Sequence, residues 1–138
     1  PLSRDQQKQL SEDIKRLTGG QGADVLYDPV GDDYAEPALR AMAWNGRYLV
    51  IGFAAGQIPK VPLNLTLLKG CQIMGVFWGA MAARDPKHAA DSMQQLLDMV
   101  AAGKLKPYVS EHFKLEDSGK AIRLLMDRKA KGKVVITT

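Results

Sequence analysis

Ala23-Asp24-Val25-Leu26-Tyr27-Asp28, running into Pro29-Val30-Gly31, and Arg47-Tyr48-Leu49-Val50-Ile51-Gly52, running into Phe53-Ala54-Ala55-Gly56, are the stretches whose reading decides the fold. Each is a short apolar run that stops at a loop containing glycine, the pattern of a buried strand in a parallel sheet. Between them Tyr34, Ala38, Leu39 and Met42 recur at helical intervals, and Asn45-Gly46 breaks that helix. Strand, helix and strand thus form one parallel unit.

Upstream, Ser3 followed by Gln6 has the spacing of a capping box, Leu10, Ile14 and Leu17 share one helical face, and Gly19-Gly20 supplies a stop, so residues 4–18 are expected to be a helix. Downstream, Pro59 and Pro62 exclude regular structure until one or two helical turns over 64–69, and Gln72 to Trp78 reads as a third strand. Asp85 before Pro86 is a helix cap, and Ala89, Met93, Leu96, Leu97 and Val100 give the helix behind it an apolar stripe that ends at Gly103. A strand over 107–113 follows, then a helix opened by Leu115-Glu116-Asp117 with Ile122, Leu125 and Met126 facing inward, and a last short strand at Val134-Val135-Ile136. No repeat, low-complexity stretch or long linker divides the chain. The expected fold is a single α/β unit, a parallel sheet covered by helices on both faces.

The 138 residues are 46% hydrophobic and 25% charged, the balance of an ordinary globular domain. One cysteine, Cys71, excludes an internal disulfide and a cysteine-based zinc site, while His88 and His112 are too few and too far apart for a metal cluster, so no metal is expected. The net charge of +4 would point to nucleic acid only if the cations clustered. They do so at Arg123, Arg128, Lys129, Lys131 and Lys133, where a solvated helix end is the stronger reading. No nucleic-acid or membrane partner is expected. The opening residues lack an apolar leader, no run approaches the about 20 apolar residues that span a bilayer, and a cytoplasmic location is the expectation.

In open α/β sheets ligands bind at the carboxyl ends of the strands, where loops leave the sheet and backbone amides are free. That makes Asp28-Pro29-Val30-Gly31 and Gly52-Phe53-Ala54-Ala55-Gly56 the candidate floor of a site. Asp28 could serve as a base or a ribose ligand, yet a carboxylate at a strand end more often caps the turn that follows. His112 beside Glu111 could donate a proton, although a half-exposed structural histidine is the commoner case. No serine or cysteine pairs with either histidine, so hydrolase chemistry has no support. Phe77 and Trp78, read as the end of the third strand, could stack on a planar ligand or be ordinary core or interface aromatics; both readings stand. That strand is also a candidate sheet edge, and the apolar row Ile73, Gly75, Phe77 invites pairing with a second copy, hence a homodimer.

Three stretches carry a resemblance beyond these patterns: Gly22 to Gly31, Leu39 to Phe53, and Gly103-Lys104-Leu105-Lys106-Pro107, followed by Leu115-Glu116-Asp117 and Gly132-Lys133-Val134-Val135. In that order they resemble the second half of the zinc-independent quinone oxidoreductases of the medium-chain dehydrogenase/reductase superfamily. The resemblance implies a partial Rossmann-like sheet lacking the first βαβ unit, residues 1–138 being the C-terminal part of the nucleotide-binding domain plus the closing helix and strand. It implies an enzyme that uses NADPH to reduce quinones or α,β-unsaturated carbonyls, dimeric through the strand at residues 72–77. Carried over by position, Val30, Gly31, Gly52 and Phe53 would lie beside the nicotinamide and its ribose, Phe77 and Trp78 near the same pocket, and Arg128 in contact with the cofactor. Such enzymes work by positioning the dihydronicotinamide against the acceptor, so no single catalytic acid is expected.

A complete member would also carry a glycine-rich phosphate loop at a helix N-terminus and an N-terminal domain walling the substrate pocket. Neither is in these 138 residues, which are therefore expected to bind cofactor weakly and to be inactive alone. Two other readings compete: a Rossmann-like methyltransferase fragment, which shares the acid-ended strand and Asn-Gly turn, and a non-catalytic dimerisation module.

Overall fold

The structure, a computed structural model, describes residues 2–138. The elements run α1 (Arg4–Leu17), β1 (Ala23–Asp28), α2 (Ala35–Arg40), β2 (Met42–Val50), α3 (Asn64–Lys69), β3 (Gln72–Gly75), α4 (Trp78–Arg84), α5 (Pro86–Ala101), β4 (Val109–Lys114), α6 (Ser118–Met126) and β5 (Lys133–Thr137). The fold is α/β, with parallel strands flanked by helices. The single unit expected from the sequence is replaced by two compact ones, the first ending at Ala80 and the second running from Met81 to Thr138. The strands divide accordingly into a three-stranded sheet, ordered β1-β2-β3, and a two-stranded sheet of β4 and β5. Among the described residues no helix is long and apolar enough to cross a membrane.

In the first unit the capping box forms as its spacing implies. The Gln6 amide donates to Ser3 Oγ and the Ser3 amide donates to Gln6 Oε1, at 3.3 and 2.9 Å. Ile14 of α1 and Leu26 of β1 pack against a core of Ala35, Ala38, Leu39, Met42, Tyr48 and Leu65, in which Leu39 and Met42 are fully enclosed. Small residues on α2 let it sit close to β2, while the longer Leu39 and Met42 fill the space between. Cys71 is half-buried against this core.

The strand β2 begins earlier than expected. Asn45-Gly46 lies inside it rather than ahead of it, and absorbs an irregularity in the ladder: β1 advances from Ala23 to Val25 while β2 advances from Met42 to Arg47. Asn45 takes a positive φ of 61°, and its amide donates to Gly70 O at 2.8 Å, so the bulge is held by the turn after α3. A bulge and a helix-breaking turn use the same residue types; only pairing partners distinguish them.

In the second unit Asp85 caps α5 through its carboxylate, which accepts from the His88 amide at 3.0 Å, and Pro86 opens the helix. The expected inward face of α6 is corrected. Ile122, Leu125 and Met126 are exposed, and the small Ala121 is the buried position, at 2%. A two-stranded sheet is too narrow to cover a broad apolar face, and a residue without a long side chain lets the helix approach β4 and β5. The stripe of α5 is likewise uncovered, with Met93, Leu96, Leu97 and Val100 exposed.

Candidate functional site

The site grows from the parallel pairing of β1 and β2, in register from Val25 opposite Arg47 to Asp28 opposite Val50. Both strands therefore end at one rim, and Val30-Gly31 and Gly52-Phe53 leave it side by side. Backbone bonds join the two loops beyond the strands. The Ile51 and Gly52 amides donate to Asp28 O at 2.9 and 3.3 Å, Ala54 N to Pro29 O at 3.0 Å, and Ala55 N to Val30 O at 3.1 Å.

Asp28, the residue at the junction, is buried and acts as the turn cap that its position suggested. Its Oδ1 accepts the amides of both Val30 and Gly31 at 2.8 Å. Its Oδ2 accepts the hydroxyl of Tyr48, a strand residue to which the sequence pattern assigns no role in the site. A signal for Tyr48 is nonetheless present: a phenol on the inward face of a buried strand must find an acceptor, and the acid closing the neighbouring strand is within reach. Burial first, then the hydrogen bond to Asp28 and its charge, raise the Tyr48 phenol well above the ordinary tyrosine range, so it stays protonated. With its oxygens engaged by three donors, Asp28 is a scaffold carboxylate and not a base facing solvent.

Gly31 is buried with φ 68° and ψ −144°, a conformation open essentially to glycine alone. A Cβ there would lie 2.8 Å from Phe53 Cδ1, so the Phe53 ring rests on the face of Gly31 that a side chain would occupy. Gly52 is less constrained; a Cβ would meet only Pro29 O, at 3.5 Å. Val30 borders an open apolar cavity of about 450 Å³ that also touches Leu10, Ile14, Leu26 and Tyr34. Phe53 borders a smaller cavity of about 170 Å³ with Tyr48, Val50, Ile58 and Ile73. The two expected pairs thus share a rim but face two hollows.

Phe77 and Trp78 do not end the third strand, as the sequence had suggested. The strand stops at Gly75, Val76 N makes the last bond to Val50 O at 2.9 Å, and Trp78 opens α4. The ladder ends there because β2 itself ends at Val50. Since β3 runs parallel to β2, Phe77 still leaves the sheet at the same rim, and it is 79% exposed. Arg128 belongs to the second unit, just after α6, with a positive φ of 55°. His112 lies exposed on β4, in register with Val135.

The family described as zinc-binding dehydrogenase matches residues 4–136. The quinone oxidoreductase-like protein 2 homolog of Nematostella vectensis is 40% identical over 94% of this chain, which spans 36% of that relative's length. A quinone oxidoreductase of Pseudomonas syringae pv. Tomato DC3000 matches in structure with a TM-score of 0.73 and 29% identity, over 93% of this chain and 39% of its own. A mycobacterial protein solved in complex with NADPH matches with a TM-score of 0.81 over 96% of this chain and 41% of its own; at 24% identity it speaks to the fold alone.

Proposed function

Because the chain belongs to the zinc-binding dehydrogenase family, we propose that it is the C-terminal, cofactor-side portion of a longer NADPH-dependent oxidoreductase that reduces quinones or α,β-unsaturated carbonyls. The observation that carries this reading is the shared rim, where Asp28 holds Val30-Gly31 through its side chain and Ile51-Gly52 through its carbonyl. That rim lies at the carboxyl ends of parallel strands, where sheets of this class bind their ligands. Similarity to the quinone oxidoreductase-like relative favours a quinone over a methyl-group acceptor.

In this reading Val30, Gly31, Gly52 and Phe53 seat the nicotinamide and ribose. Phe77 and Trp78 border the ring. The cofactor, when bound, supplies the hydride. The chain's own residues orient it and exclude water: the rim is backbone and apolar side chain, and its polar pair, Asp28 and Tyr48, is turned inward. Zinc does not fit these residues. A zinc site takes three or four closely placed Cys, His, Asp or Glu ligands, and among the described residues no group of three could hold a metal ion.

The chain spans only 36% of the Nematostella relative, so the phosphate loop and substrate wall are assigned to the rest of the longer protein. The apolar surface left bare, including Val25, Tyr27, Met93 and Leu97, supports that division. The longer protein is expected to oxidise NADPH when a quinone or enone is added, followed by loss of dihydronicotinamide absorbance, whereas these 138 residues alone show no turnover and no micromolar binding of NADPH. Failure of every quinone and enone to support NADPH oxidation by the longer protein would overturn the assignment.

We also propose a homodimer through residues 72–77. The strand β3 is an edge of its sheet, Ile73 and Met74 are exposed on it, and Val76 and Phe77 are exposed just beyond it. Sedimentation of the chain is expected to give a dimer that Ile73→Lys converts to monomer, since a charge on an edge strand opposes pairing. A wild-type monomer at high concentration refutes this.

A further inference from the structure

We infer that Tyr48 is a positioning residue for hydride transfer: by holding the Asp28 carboxylate it fixes the Val30-Gly31 loop against which the dihydronicotinamide is aligned. The inference rests on the reading of that rim as the nicotinamide seat.

The geometry makes Asp28 the residue that holds the first loop through its side chain and the second through its backbone, beside the bonds from Ala54 N to Pro29 O and from Ala55 N to Val30 O. The carbonyl oxygen serves Ile51 and Gly52. That bond extends the β-ladder and is fixed by strand pairing whatever the side chain does. The carboxylate serves Val30 and Gly31, both through Oδ1, and this fork holds only if the carboxylate plane is kept in one orientation. Nothing in the ladder fixes that plane. The Tyr48 hydroxyl does, by taking Oδ2 from the neighbouring strand, where Tyr48 is 4% exposed and in register with Leu26. Without the hydroxyl, Oδ2 is a buried acceptor with no donor, and the carboxylate gains by turning toward the amides or toward water, opening the fork. Gly31 also accepts the Tyr34 amide at its carbonyl, at 3.3 Å, and lies under the Phe53 ring, but its backbone occupies a sparsely populated region that its surroundings must impose, and the fork supplies the bond to its amide.

The consequence falls on alignment more than on affinity. A dinucleotide is held at many points, whereas the distance and angle between the reacting carbons depend on the seat of the nicotinamide ring. The test uses Tyr48→Phe and Asp28→Asn. In the 138-residue chain, amide hydrogen exchange in Tyr48→Phe is expected to quicken at least tenfold at Val30 and Gly31 while Ile51 and Gly52 keep their wild-type protection. In the longer protein Tyr48→Phe is expected to lower kcat about tenfold with less than a threefold change in the dissociation constant of NADPH. Asp28→Asn is expected to lose less than Tyr48→Phe, because the amide oxygen can still accept both backbone donors and its nitrogen can donate to the Tyr48 oxygen.

Equal exchange changes at all four amides, or none, overturn the proposal, as does a Tyr48→Phe enzyme with wild-type kcat. If Asp28→Asn loses far more activity than Tyr48→Phe, the carboxylate is acting as a charge and the positioning role is wrong. A wild-type longer protein without NADPH oxidation instead sinks the reading beneath it and removes the hydride-transfer role, even where the exchange pattern is the expected one.

Discussion

Gly22→Ala is expected to destabilise the first unit by about 3–5 kcal/mol, a loss at the exceptional end of single-substitution effects. Gly22 is buried at the entrance to β1 with φ 87°. A Cβ there would lie 2.5 Å from Ala41 O, 2.8 Å from Met42 C and 2.9 Å from Ala43 N. All three are backbone atoms of Ala41 to Ala43, where the chain enters β2, so no side chain can swing aside; the two segments must separate. The next bond of the ladder, Ala23 N to Ala41 O at 2.9 Å, would be forced open with them. Gly20→Ala is the control. Gly20 has the same φ of 87° and nothing within 4 Å of the point its methyl group would occupy, so only the backbone cost of about 1 kcal/mol remains. Urea unfolding of the two variants separates steric exclusion from conformational preference. Equal midpoints would show that the close approach at Gly22 relaxes without cost.

Gly31→Ala is expected to cost about 2–4 kcal/mol and, where the rim seats the nicotinamide as proposed, to abolish hydride transfer in the longer protein. Two effects add at this position: a backbone conformation that a side chain penalises by about 1–3 kcal/mol, and a methyl group placed 2.8 Å from the Phe53 ring. Phe53 is 40% exposed and can move, so the steric share is the smaller one for stability and the larger one for function. The displaced ring would leave the rim at the point where Gly31 and Gly52-Phe53 meet. Gly52→Ala, whose methyl would meet only ordinary van der Waals contact and whose backbone needs no positive φ, is expected to change stability by less than about 1 kcal/mol. Thermal unfolding and NADPH-dependent quinone reduction, measured side by side, check both claims. A Gly31→Ala protein as stable as Gly52→Ala would mean that the loop adopts another conformation at little cost.

Most of the elements are legible in the sequence because they are local. The capping box at Ser3, the cap at Asp85, the strand at Ala23–Asp28 and the short helix at Asn64–Lys69 each depend on a few neighbouring residues, and each forms as expected. The departures share a different cause. Asn45-Gly46 sits within a strand, Phe77-Trp78 lies beyond one, and Ile122, Leu125 and Met126 lack cover, because pairing partners and burial are set by segments distant in the sequence. At the rim, Val30, Gly31, Gly52 and Phe53 could be named from strand-end position, whereas for Tyr48 the sequence signalled only the need for an acceptor; twenty residues separate it from Asp28, and strand register makes that acceptor Asp28.

The sequence by itself determined that the chain alternates strands and helices, that two of its strands end in glycine-containing loops, and that Asp28 stands where a turn cap is the favoured role. These follow from backbone preferences and hydrophobic period, which act over a few residues. Only the tertiary structure decided that the strands divide between two sheets, that the Phe53 ring lies on Gly31, and that a buried tyrosine fixes the carboxylate joining both loops. Those outcomes depend on which surfaces meet, a matter of long-range packing and of every buried polar group finding a partner.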